Sequence, residues 1–167
     1  GKSGETLKKS VATFNSLGLV SIFLNPTNAT HGDLGAVCSE DIIILLSKSG
    51  NSEELAEVIR WSKFKKCKCL VFSCQKKSNL AKTADYFFQL PNFQEFCVLG
   101  LAPTTSSVIA TFLFDLIAVL VSQKLKISKT SFYNNHPSGV LGLKLTEVSK
   151  KMHVGDALPL VSIDKTL

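Results

Sequence analysis

Apolar residues in this chain fall into short β-branched runs separated by stretches with helical spacing. From about Gly4 to Leu17, Leu7, Val11 and Phe14 recur along one face and predict a helix. Leu19–Leu24 predicts a short buried strand, followed by the polar loop NPTNATHGDLG. Asp41–Leu46 predicts the next strand. Ser52–Lys65 predicts a helix with Leu55, Val58, Ile59 and Ser62 on its inner face. Cys69–Ser73 reads as a third strand, Asn79–Thr83 as a helical turn and Tyr86–Leu90 as a fourth strand. A long helix, apolar nearly all round, runs from Pro103 or Thr104 to about Lys124. Apolar strands alternating with helices predict an α/β fold, a three-layer α/β/α sandwich around a mostly parallel sheet. The last helix belongs either in the middle of the molecule or at a subunit interface.

Composition narrows this picture. The 167 residues are 45% hydrophobic and 19% charged, with a mean hydropathy of +0.21, which suits one domain with a full core. So few charges also suggest surface buried in an oligomer. The best membrane candidate, Val108–Val121, contains Asp115 and is too short, and GKSGETLKK has no signal-peptide pattern. Five cysteines, an odd count, read as buried free thiols in a reducing cytoplasm. Cys67 and Cys69 are too close for a usual zinc knuckle and read as strand residues, so no metal site is expected there. The net charge of +6 comes from lysine clusters, while the aromatics are largely Phe within apolar runs, so the clusters read as solvated element ends rather than a nucleic-acid surface. No nucleic-acid or membrane partner is expected. Both ends look cut, which predicts an excised domain.

The richest chemistry lies in DIIILLSKSGNSEEL, Asp41–Leu55. A buried strand breaks into Ser47, Ser49, Gly50, Asn51 and Ser52 before a helix with acidic Glu53 and Glu54 in its first turn. Hydroxyls, a glycine and the N–H groups of a helix start make a small anion site, and phosphate is the usual anion. An ordinary N-capped turn is the plain alternative. Gly1-Lys2-Ser3-Gly4 carries only the tail of a nucleotide-binding loop, yet its lysine stands at a helix start where it can meet an anion. HGDLG at His31 and NHPSG at His136 each place an imidazole in a turn, and Pro103–Ser107 supplies four hydroxyls at the mouth of the apolar helix. Three Ser, Thr and Gly-rich loops at strand-to-helix joins, with two histidines and several glutamates nearby, are the profile of a sugar-phosphate site.

In this order, GKSG, HGDLG, LSKSGNSEEL, LAPTTSS and HPSGVLG resemble the sugar isomerase (SIS) domain of arabinose-5-phosphate isomerases, over almost the whole chain. The resemblance implies a flavodoxin-like SIS fold in residues 1–150, its first strand missing ahead of Gly1, with 151–167 (including MHVGDALPLV) entering paired CBS modules. It also implies a cytoplasmic homotetramer without cofactors. The implied reaction interconverts D-ribulose 5-phosphate and D-arabinose 5-phosphate through an enediol, supplying Kdo for lipopolysaccharide. Carried onto this chain, Lys2, Glu54, Glu95 and His136 are the catalytic positions, with His136 assisting ring opening from its own or a neighbouring subunit. Ser3, Ser47, Ser49, Gly50, Ser52, Thr104, Ser106, Ser107 and His31 are the binding ones. Two glutamates and a histidine make metal unnecessary in that scheme. Glu54, three residues after Asn51, could instead close a capping box, and Glu95 could be a solvated loop carboxylate. Asn25, Asn28 and the Phe114–Ala118 stretch depart from the family pattern. The competing readings are a non-catalytic sugar-phosphate sensor and an isomerase of another sugar phosphate.

Overall fold

The structure, a computed structural model, describes residues 1–140, 142 and 146–165. Its centre is a parallel sheet in the order β1 (Ile42–Leu46), β2 (Lys68–Ser73), β3 (Tyr86–Gln89). Ile43 stands opposite Cys69, Leu45 opposite Val71, and Leu70 opposite Tyr86. Parallel neighbours need crossovers. Here α3 (Glu53–Lys65) joins β1 to β2, and the short α4 (Asn79–Thr83) joins β2 to β3.

The twofold alternation of strand side chains divides the core in two. Ile43, Leu45, Cys69 and Val71 share one cluster with Val58 and Ile59 of α3 and Leu80 of α4, closed by Ala29 and Leu34. Ala29 ends the single turn α2 (Pro26–Ala29), and Leu34 sits in a 3-10 turn at Asp33–Ala36. On the opposite face, Ile44, Leu46, Leu70 and Phe72 meet Leu7 and Phe14 of α1 (Lys2–Ser16) and Phe114 of α5 (Thr105–Lys124). The expected three layers are therefore present.

One predicted strand is not. Leu19–Leu24 forms no ladder among the described residues, and Val20 and Ile22 are exposed. Its polar backbone is engaged elsewhere. The N–H of Ser21 donates to Asn15 Oδ1 (2.8 Å), Asn15 Nδ2 donates to the Ser21 carbonyl (3.0 Å), and the Leu19 N–H donates to the Phe14 carbonyl (2.8 Å). Between this segment and the outer edge of β1 lies a cavity of about 420 Å³.

α5 is also not buried all round. Ala110, Phe114 and Ala118 are buried, while Val108, Phe112, Leu116, Val119 and Leu120 are exposed. By length and composition it could cross a membrane. Against that, its buried stripe packs on the sheet and Asp115 pairs with Lys9 of α1. Beyond it come α6 (Lys129–Asn135) and an exposed stretch over residues 151–165. Leu141 of the HPSGVLG motif lies outside the described residues.

Candidate phosphate and sugar site

β1 ends at Leu46, and Ser47–Ser52 turns the chain into α3. This loop is tied to the end of β2. Ser47 N–H donates to the Phe72 carbonyl (3.0 Å), and the Lys48 carbonyl accepts from Cys74 N–H (3.3 Å) and Ser73 Oγ (3.2 Å). The Gly50 carbonyl accepts from Leu80 N–H (3.1 Å), and Asn51 Oδ1 from Asn79 N–H (3.1 Å). Gly50 has φ +66°, and a Cβ there would lie 2.2 Å from Ser78 Oγ and 2.8 Å from Ser73 Oγ. Glycine is needed both for the left-handed backbone and for the close approach.

The hydroxyls are not used as the capped-turn alternative requires. Ser52, the N-cap residue of α3, makes no capping bond; its Oγ meets Ser47 Oγ at 3.1 Å, and Ser47 Oγ accepts from Gly50 N–H. Asn51 is engaged with Asn79, so it does not form a capping box with Glu54. Among the described residues, the first N–H groups of α3 thus have no side-chain acceptor at a positive helix end, which suits an anion.

This loop opens on a cavity of about 920 Å³. Among the residues singled out from the sequence, Ser3, Ser47, Ser49, Ser52 and Glu54 line it together. Gly50 is buried behind the loop. Glu54 is exposed and has no hydrogen-bond or ion-pair partner among the described residues. Lys48, Asn25, Thr27, Gln75 and Asn92 line the same space, and none of them was expected as a site residue. Lys48 is visible in the sequence as a cation inside the serine loop. The others lie in turns without periodicity.

Glu95 is placed differently. Its side chain is 5% exposed, Oε1 accepts from Lys48 Nζ (2.8 Å), and Oε2 accepts from the N–H groups of Thr104 (2.9 Å) and Ser106 (3.1 Å). It is therefore no solvated loop carboxylate; it caps α5 through space. The Lys48 ammonium above all, and then the Ser106 and Thr104 donors, outweigh burial and hold its pKa down at about 2. Thr104 Oγ1 accepts from the N–H groups of Phe96 (2.9 Å) and Cys97 (3.2 Å) and lines none of these cavities. Ser106 and Ser107 border a neighbouring cavity of about 20 Å³ with Ser3 and Lys48.

Lys2 and His31 are exposed and line none of these cavities. His136 packs on the other end of α1. Its Nδ1 is 2.8 Å from the Phe132 carbonyl, Nε2 is 2.9 Å from Ser16 Oγ, and its ring stacks on Phe132 at 4.1 Å. A carbonyl beside Nδ1 requires the proton there. Ser16 and Ser3 are separated by roughly 20 Å of helical rise. The His136 of one copy therefore does not meet its own serine loop.

Known proteins resemble this chain in sequence and fold. The SIS domain model matches residues 1–120. An uncharacterized protein of Rickettsia prowazekii is 36% identical over 164 residues, 98% of this chain and 51% of its own length. The arabinose 5-phosphate isomerase KdsD of Yersinia pestis is 38% identical over 168 residues, 100% of this chain and 51% of its own. The chain thus spans about half the length of the curated relatives it matches. An Escherichia coli CFT073 protein solved in complex with arabinose 5-phosphate superposes with TM-score 0.79 at 36% identity, covering 82% of this chain and 73% of that one.

Gly50→Ala is expected to destabilise the fold by roughly 2–4 kcal/mol in urea titration, combining left-handed strain with overpacking. Gly35→Ala, whose Cβ meets nothing within 4 Å, serves as control. Equal losses for the two would contradict the account. Glu95 ionises at about 2 in the folded chain against an ordinary 4.5. Its contribution to stability is therefore complete above pH 4.5 and is lost as pH falls toward 2. Acid titration of Glu95→Gln should show a shallower loss across that window; a slope equal to the unsubstituted chain's would reject the assignment.

Proposed function

The chain belongs to the SIS-domain family, and on that footing we propose that it is an aldose–ketose isomerase interconverting D-arabinose 5-phosphate and D-ribulose 5-phosphate. The observation carrying this reading is the shared cavity, where Ser47, Ser49 and Ser52 face the same space as the exposed carboxylate of Glu54. The serine hydroxyls and the N–H groups at the start of α3 hold the phosphate. Glu54, in the first turn of that helix, takes the proton from C2 of the open-chain aldose. The resulting enediolate is reprotonated at C1, while O2 loses a proton and O1 gains one, which yields the ketose. The similarity to KdsD proteins and to a structure holding arabinose 5-phosphate supports this substrate. A supply role toward Kdo and lipopolysaccharide, in the cytoplasm, belongs to the same proposal.

None of His31, His136 and His153 lines the cavity within one copy, so ring opening falls to a histidine of another copy, and the protein works as a homo-oligomer, in the family's expectation a tetramer. The exposed stripe of α5, with Phe112 at 69% exposure, supports burial against another chain. The held-down carboxylate of Glu95 favours one alternative, a sensor that binds the sugar phosphate without turning it over.

The full-length protein should isomerise D-arabinose 5-phosphate, and Glu54→Gln should lower kcat roughly 100- to 10,000-fold. Binding without turnover would establish the sensor instead. Phe112→Asp should shift the sedimentation of the protein toward monomer, whereas an unchanged assembly would remove α5 from the interface.

A further inference from the structure

We propose that Lys48 is a phosphate-binding residue of this site, its ammonium bridging Glu95 and the phosphate group of the sugar. The proposal rests on the isomerase reading above and names the cation that the serine loop brings to its anion.

Position comes first. Lys48 stands between Ser47 and Ser49, and its carbonyl is fixed by Cys74 N–H and Ser73 Oγ at the end of β2. The side chain therefore starts from an anchored point inside the loop that supplies the serines. Unlike Lys2, it lines the large cavity, and it also lines the small one bordered by Ser3, Ser106 and Ser107. It is thus the cation at the junction of both hydroxyl-bearing loops.

Its state is that of a poised group rather than a closed ion pair. Nζ donates to Glu95 Oε1 at 2.8 Å and lies 4.6 Å from the centre of the Phe93 ring, while 47% of the side chain remains exposed. An ammonium has three donors, and Glu95 takes one of them. Glu95 is not left bare if the ammonium tilts toward a ligand, because Oε2 retains the Thr104 and Ser106 N–H groups. A phosphate dianion beside the start of α3 would add the charge that the half-exposed ammonium can still meet. The other cavity-lining cation, Lys8, lies farther along α1, pairs with Glu5 at 3.0 Å and covers Phe23.

Titration calorimetry of the full-length protein with D-arabinose 5-phosphate tests the assignment, with Lys48→Gln and Lys48→Arg beside the unsubstituted chain. One lost charge-assisted bond corresponds to roughly 10- to 100-fold weaker binding. That loss is expected in Lys48→Gln, with most of it restored in Lys48→Arg. In turnover, KM should rise while kcat stays near its original value, since phosphate is held equally in ground and transition states. A Lys48→Gln protein that binds within about twofold of the unsubstituted chain, well short of that loss, would overturn the role of Lys48 and leave the isomerase reading intact. Failure of the unsubstituted protein to bind the sugar phosphate at all would overturn both.

Discussion

The site depends on two parallel strands ending level. The β1–β2 ladder runs from Ile42 opposite Lys68 to Leu46 opposite Phe72, and its hydrogen bonding continues past both strands through Ser47 N–H to Phe72 and Cys74 N–H to Lys48. Both loops therefore leave the sheet at the same rim, where the Leu80 N–H to Gly50 bond and the Asn79 N–H to Asn51 bond join them. Loop residues free to sample their backbone wells would each carry about 1–2 kcal/mol of conformational entropy into ligand binding. With the loop already tied to β2, that cost is met on folding. Gly50 is the point where the constraint is tightest, because the two loops come too close there for any side chain.

A serine before a helix ordinarily caps it, and this chain shows both outcomes. Ser78 Oγ accepts from Ala81 N–H at the start of α4, and Ser128 Oγ accepts from Ser131 N–H at the start of α6. Ser52 instead pairs with Ser47, and α3 begins without a side-chain acceptor. The difference lies in the strand before it: β1 delivers Ser47 within reach, and the hydroxyl of Ser52 turns to that neighbour rather than to its own helix. A helix with two glutamates in its first turn retains favourable dipole interactions without the cap.

Much of this was legible in the sequence because it rests on local periodicity. The β-branched runs at Asp41–Leu46 and Cys69–Ser73 and the helical spacing from Ser52 gave elements within about a residue of those observed, and the serine loop stood out between them. Leu19–Leu24 has the same apolar character, but a strand exists only with a partner. Asn15 holds the backbone of Ser21 instead, a contact six residues apart that no periodicity announces. The placements of Glu95, Thr104 and His136 were hidden for a related reason. Each is set by hydrogen bonds to particular backbone groups, and residue type alone does not say which. For α5, composition could not separate a core helix from an interface helix. Its apolar residues surround the axis, and only packing against α1 and the sheet determines that Ala110, Phe114 and Ala118 face inward.

The two glutamates illustrate how environment divides roles among identical side chains. A general base must hold a lone pair that is not already committed and a pKa near the working pH. Glu95 meets neither condition here, since both its oxygens are occupied and its ionised form is strongly favoured. Those same bonds make it a good strut: it ties the serine loop, through Lys48, to the start of α5. Glu54 is an open carboxylate on the wall of the cavity, with no hydrogen-bond partner among the described residues. If a phosphate draws the Lys48 ammonium toward itself, the largest influence holding Glu95 ionised weakens, while the Thr104 and Ser106 donors still anchor it. The open carboxylate of the site is thus Glu54, while Lys48 and Glu95 hold the serine loop to the start of α5.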